Sequence, residues 1–131
     1  MKQSDWHEKL WEVVREHEAR PFSWTENNCC HFAFRAARAM TGIDRTYAVE
    51  AVSATDVSAM RHVISAGGLC EAISEHFGDP ASGRAQRGDI VLLETPTGPV
   101  AGVWVGTGAL ATGEAGLVQY PRSAVLCRWE V

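Results

Sequence analysis

The sequence predicts an α+β fold, with helices first and a meander of short strands last. Three observations carry this reading. Apolar residues recur at helical spacing from Trp6 to Phe77, and from Ile90 onward the period changes to two. Glycines at 106, 108, 113 and 116 then divide the second half into pieces of strand length. Helices gathered at one end of the chain and strands at the other belong to α+β architectures, in which helices pack on an antiparallel sheet of about five strands.

Ser4 or Asp5 is placed to cap a first helix. Trp6, Leu10, Val13, Val14 and His17 share one of its faces, and Glu8, Lys9, Glu12, Arg15 and Glu16 lie mostly opposite. Pro21 closes that segment. Asn27 and Asn28 are N-cap residues for a second helix over 29–40, which Thr41-Gly42 stops. Its alanines (33, 36, 37 and 39) let a sheet approach the helix backbone, so it is expected to be the central, buried helix. Residues 43–52 read as an irregular connection anchored by Tyr47. Ser53-x-x-Asp56 resembles a capping box. It opens a third helix expected to bury Val57, Met60, Val63 and Ile64 before Gly67-Gly68. A short fourth helix, Leu69–Phe77, buries Leu69, Ile73 and Phe77, and a polar loop follows over 79–88. Strands are expected at 90–93, 100–105, 109–112, 117–120 and Val125–Trp129, the first two joined by the turn Thr95-Pro96-Thr97-Gly98. Trp24, Trp104 and Trp129 read as core, while Trp6 and Trp11 either pack or face a partner protein.

At 131 residues the chain is expected to be one domain, 1–131, long enough to bury a core without disulfides or metals. The net charge of −4 carries no Lys/Arg cluster, which argues against nucleic-acid binding through phosphate contacts. No apolar run approaches the roughly 18 residues of a membrane span, and the first residues lack an apolar signal core. The expectation is a protein made in the cytoplasm, with no membrane insertion. The cysteines at 29, 30, 70 and 127 have no CxxC spacing and read as reduced thiols.

The chemistry concentrates in residues 21–36, PFSWTENNCCHFAFRA. A cysteine in a first helical turn sits among unpaired N–H groups at the positive end of the helix dipole, which stabilises a thiolate. Nucleophilic catalysis by that thiolate also wants a histidine in contact and a third polar group to orient the ring. The five histidines (7, 17, 31, 62 and 76) all fall on expected helices, none on the strands. His31 is two residues beyond Cys29, and residues so spaced on a helix do not face each other. Cys29 therefore reads either as a nucleophile or as a small buried hydrophobe. A metal-binding adaptor using Cys29, Cys30 and His31 is a third reading, but Cys70 and Cys127 add no ligand spacing. No cofactor motif and no metal set is recognised.

The segment WTENNCCHFA resembles the nucleophile segment of the NlpC-type cell-wall peptidases, which have the papain-like fold. RGDIVLL is similar to that family's entry into its first strand, VAGVWVG to its second strand and GTGALAT to its third. Nearly the whole chain resembles a phage and prophage group of NlpC-like tail-cluster proteins, through PFxWxxxxC, an MTG after the helix, RGD-hydrophobic, GVxxG and a terminal Arg-Trp strand. The resemblance implies Cys29 at the nucleophile position. It places the family histidine at Val100, with Ala101 beside it, and a third polar residue near Thr112. Neither Val100 nor Ala101 accepts a proton. The resemblance thus implies a degenerate NlpC-like domain serving as a structural component of a tail tip or baseplate, located in the virion tail and partnered by other tail-tip or hub proteins. The alternative is an active cysteine peptidase or amidase cleaving peptidoglycan peptides during infection, with a base from His31 or His62 or lent by a partner.

Overall fold

The computed structural model describes residues 2–53 and 55–131. Its helices are α1 (Trp6–His17), α2 (Cys29–Thr41), α3 (Thr46–Val52), α4 (Asp56–Ala66) and α5 (Leu69–Phe77). Five strands follow: β1 (Ile90–Thr95), β2 (Gly98–Trp104), β3 (Ala109–Gly113), β4 (Gly116–Tyr120) and β5 (Val125–Trp129). The fold is α+β, with one antiparallel sheet in the order β4-β3-β2-β1-β5. Each strand pairs with the next as far as β4. A short 3-10 turn at Arg122–Ala124 then carries the chain back, so that β5 pairs with the free edge of β1.

Burial follows from what each face meets. On one side of the sheet Ala101 and Val103 join Ile90, Leu92 and Trp129 in a core with Phe32, Ala33, Ala36 and Ala37 of α2. Leu10, Val13 and Val14 of α1 complete it, and the His17 ring packs 5.3 Å from that of Phe32. On the other side Val91, Leu93, Trp104, Ala109 and Ala111 form a smaller cluster. Arg122 roofs that cluster, its guanidinium 4.2 Å from the Trp104 ring centroid and donating to the Ala85 carbonyl at 3.0 Å. With apolar layers on both faces, β1 is a nearly continuous run of buried residues rather than an alternating one. Gly102 sits where β2 crosses β3 most tightly. A Cβ there would lie 2.6 Å from the Leu110 carbonyl oxygen and 2.9 Å from Leu93 Cδ1.

An ion pair ties the last strand to the loop before the first. Asp89 is buried and accepts from Arg128 Nη1 at 3.0 Å and from the Gln86 amide at 2.8 Å. Arg128 also donates to Glu130 Oε1 at 2.8 Å and, through Nε, to the Ser82 carbonyl at 3.1 Å. The guanidinium fork thus satisfies three acceptors from separate chain segments.

Four expectations are corrected. Residues 46–52 are helical rather than irregular, and Tyr47 is no anchor, being 67% exposed. Asp44 Oδ1 starts that helix by accepting from the Thr46 amide at 2.8 Å and also from the Thr46 hydroxyl. The box at the start of α4 is Thr55 with Ser58, not Ser53 with Asp56, because the Ser53 hydroxyl is engaged by the Asn28 amide. Val57, Met60 and Ile64 are more than half exposed, Met60 and Ile64 along the rim of a cavity, since α4 packs mainly on α5 and α3. Trp24 is 46% exposed, stacked edge-on against Phe22, while Trp104 and Trp129 are core as expected.

The Asp89–Arg128 pair yields the first prediction. Removing one partner of a buried pair strands the other charge away from water, at a cost of about 3–5 kcal/mol. Asp89→Ala is expected to lower the unfolding free energy by about that amount in chemical denaturation. Glu130→Ala, at the exposed end of the same guanidinium, is expected to change it by less than about 1 kcal/mol.

Candidate active-site cleft

The N-terminus of α2 is held by a closed set of hydrogen bonds centred on Asn28. Its Oδ1 accepts from the amides of Cys30 at 3.0 Å and His31 at 3.1 Å. Its Nδ2 donates to the Trp24 carbonyl at 3.0 Å and to Ser53 Oγ at 3.1 Å. In return His31 Nδ1 accepts the Asn28 amide proton at 3.0 Å, so His31 plays the part usually taken by Glu in a capping box. Asn27 supports the preceding turn by donating to the Pro21 carbonyl at 3.0 Å. Cys29 is thereby fixed as the first residue of α2, at the positive end of a 13-residue helix.

Both Cys29 and Cys30 border a cavity of about 550 Å³. Phe34 of α2, Val49 and Val52 of α3, and Met60 and Val63 of α4 supply much of its wall. Leu69 and Ile73 of α5 continue it, and Thr97, Pro99 and Val100 close it from the β1–β2 hairpin. The lining is overwhelmingly apolar, with imidazoles contributed by His62 and His76.

The two thiols are driven apart in acidity. The Cys29 thiol lies below its ordinary pKa. The S–H of Cys30 contributes most to this, and the backbone N–H groups of Ala101, Cys30 and Cys29 itself add to it, against a burial that pushes the other way. Cys30 is raised well above its ordinary value by the same contact and by burial. The two thiols titrate as a pair, the contact and the backbone amides lowering the Cys29 side, and the contact and burial raising the Cys30 side.

The strand opposite is read by its alternation. Ala101 is fully buried in the α2-side core and turns its N–H toward the Cys29 sulfur. Val100 packs against the cluster on the opposite face while bordering the cavity. Successive residues of a strand point to opposite faces. Val100 and Ala101 thus stand at the Cys29 end of β2, Ala101 through its backbone N–H and Val100 along the cavity wall, and neither side chain accepts a proton. Thr112 is buried in β3 and its hydroxyl has no hydrogen-bond partner. It does not line the cavity.

None of the histidines is hydrogen-bonded to Cys29 among the described residues. His31 spends Nδ1 on the helix cap, and its Nε2 is buried without a partner, 3.7 Å from Glu50 Oε1. Burial first, and the Arg35 charge second, hold its pKa below the usual imidazole value. His62 lies 3.6 Å from Glu75. His76 stands edge-on to Phe34, its pKa lowered mainly by burial. The His31 seen in sequence as a distant base is a structural cap, and His76 at the cavity wall had no signal beyond its place on α5. Among the described residues no group of three or more His, Cys, Asp or Glu side chains is arranged to hold a metal, and no helix is long and apolar enough to cross a membrane.

Two outcomes follow for this site. The alkylation rate of Cys29 is expected to rise with pH through a pKa below the ordinary thiol value. Cys30→Ala removes the largest cause of the lowering, so the profile should move to higher pH and the rate at neutral pH should fall; an unmoved profile would show that Cys30 does not set the acidity. Thr112→Val removes a hydroxyl that is desolvated without compensation, a burden of about 1–3 kcal/mol. It is expected to leave thermal stability unchanged or raise it.

The whole chain, residues 1–131, matches the family described as Domain of unknown function (DUF6950), and the chain belongs to that family. No curated protein matches it.

Proposed function

For this DUF6950 member we propose an NlpC-type, papain-like domain whose hydrolytic centre is incomplete, and which serves as a structural component of a phage or prophage tail tip or baseplate. The observation that carries the reading is that the β2 residues at the Cys29 end of the cleft, Val100 on the cavity wall and Ala101 with its N–H toward the sulfur, carry no titratable side chain.

The chemistry explains why one residue matters so much. Hydrolysis of an amide by a thiolate needs a proton delivered to the departing amine, because the tetrahedral intermediate otherwise expels the better leaving group, the thiolate itself. An imidazole normally takes up and returns that proton. An alanine does neither, and a lowered thiol pKa does not replace it. The unpartnered Thr112 hydroxyl fits the same picture, since a third polar residue has no ring to orient. The cavity lining also suits polar, charged cell-wall peptides poorly. For a tail role, contacts with neighbouring tail proteins fall most naturally on the exposed apolar side chains of α4 and on Trp11 and Trp24.

A second reading, an active cysteine peptidase or amidase acting on peptidoglycan peptides, is favoured by a specific pair of observations. The Cys29 thiol is acidified, and His62 and His76 border the same cavity. A movement of α4 or α5, or a base lent by a partner, would have to bring an imidazole to the sulfur.

The two are separated by incubating the purified protein with muropeptides and following new amines by mass spectrometry. The structural reading expects no turnover, and it expects Cys29→Ala to leave tail assembly unaffected in the phage. Turnover that disappears in Cys29→Ala, and in His62→Ala or His76→Ala, would transfer the assignment to the hydrolase.

A further inference from the structure

We propose that Cys70 and Cys127 are a disulfide-forming pair which, on meeting a disulfide oxidant, covalently clamps α5 to the edge strand β5. This goes beyond the reading above and does not depend on it.

The two sulfurs belong to residues 57 positions apart and stand 3.7 Å from each other, both half-buried. A disulfide needs them to close to about 2.05 Å, a movement within reach of side-chain rotation. Cys70 is the second residue of α5. Cys127 lies in the middle of β5 opposite Leu92, next to the irregularity in the β1–β5 pairing. The seam between these elements is already fastened at its other end, where Trp129 Nε1 donates to the Ser74 hydroxyl at 3.2 Å and the Gly78 carbonyl at 3.0 Å. The bond would hold the first turn of α5 as Trp129 holds the last. Because Leu69, Ile73 and His76 make α5 one wall of the cavity, the clamp would also fix that wall against the sheet.

The other cysteine pair serves as an internal contrast. Cys29 and Cys30 are sequence neighbours, with Cα atoms about 3.8 Å apart, closer than the roughly 4.4–6.8 Å that disulfides span. They touch and share a proton but are badly placed to bond.

The order of steps follows from acidity. Burial, and then contact with Cys70, push the Cys127 thiol up to about 11, so it is protonated at neutral pH. Cys70 therefore goes first, giving its proton to solvent as its sulfur attacks one sulfur of an external disulfide such as oxidised glutathione. A mixed disulfide forms and one glutathione leaves as thiolate. Cys127 then gives its proton to solvent and attacks the Cys70 sulfur, expelling the second glutathione. The chain loses two protons and two electrons, and the oxidant becomes two thiols.

The experiment exposes the purified full chain to oxidised glutathione, quenches with acid and maps tryptic peptides without reduction. Residues 62–84 carry Cys70, 123–128 carry Cys127, and 16–35 carry both remaining cysteines. The expected product is a monomer in which 62–84 is linked to 123–128, with no glutathione retained on either. Its melting temperature should rise by at least about 5 °C and return on reduction. Cys70→Ser and Cys127→Ser should each abolish the rise, and the wild-type map stands on its own if either fails to fold. A stable glutathione adduct on 62–84 without the link, a link only between two chains, or a Cys29–Cys30 bond formed in preference would overturn the pairing. A link with no change in melting temperature would overturn the clamp.

Discussion

Helix α2 lies on the sheet with alanines at the contact, and this closeness governs the rest of the molecule. Ala33, Ala36 and Ala37 are fully buried, and the strand residue they meet includes another alanine, Ala101. Larger side chains on either surface would hold helix and strand apart. The helix start would then lie beyond reach of the strand's backbone, and the Ala101 N–H would no longer help to acidify Cys29. The same small-residue contact that packs the core thus sets the electrostatics of the cleft.

The cleft separates two properties that cysteine hydrolases combine. Thiolate stabilisation comes from fixed groups (a helix N-terminus, backbone amides and a neighbouring S–H), and these are present. Proton transfer comes from a mobile, titratable ring at a defined distance, and among the described residues no histidine is hydrogen-bonded to Cys29. An acidified thiol at an apolar cavity is therefore compatible with a protein that performs no hydrolysis. Reading acidity alone as activity would confuse the two.

Stability is distributed unevenly around that cleft. The α2 side is held by a dense core and by the Asn28 network, and the end of the chain by the Asp89–Arg128 pair. Helix α4, in contrast, buries Ala59 and keeps Val57, Met60 and Ile64 more than half exposed. Its attachments run to α3 and α5, so the cavity has a firm floor and a lightly fastened roof. The α5–β5 seam, with Trp129 at one end and the two cysteines at the other, is the place where roof and sheet are joined.

Much of the fold was legible in the sequence because its signals are local. Caps and periodicity located α1, α2, α5 and the five strands, with ends shifted by a residue or two, since Asn28, Gly42 and the hairpin turn act within one turn of chain. Helix α4 was located too, between its cap and Gly67, but α3 was missed and the buried face of α4 was misread for an equally physical reason. Its apolar residues have helical spacing, but spacing says only that a face exists, not that anything covers it. The sequence by itself determined the helix-then-strand order, the position of Cys29 in a first turn and the absence of a strand histidine. Tertiary structure alone decided that the Ala101 N–H turns toward the Cys29 sulfur, that His31 is spent as a cap, and that Cys70 meets Cys127. Each of those depends on the register of a strand or the packing of a side chain against elements distant in sequence, and such contacts leave no trace in local residue order.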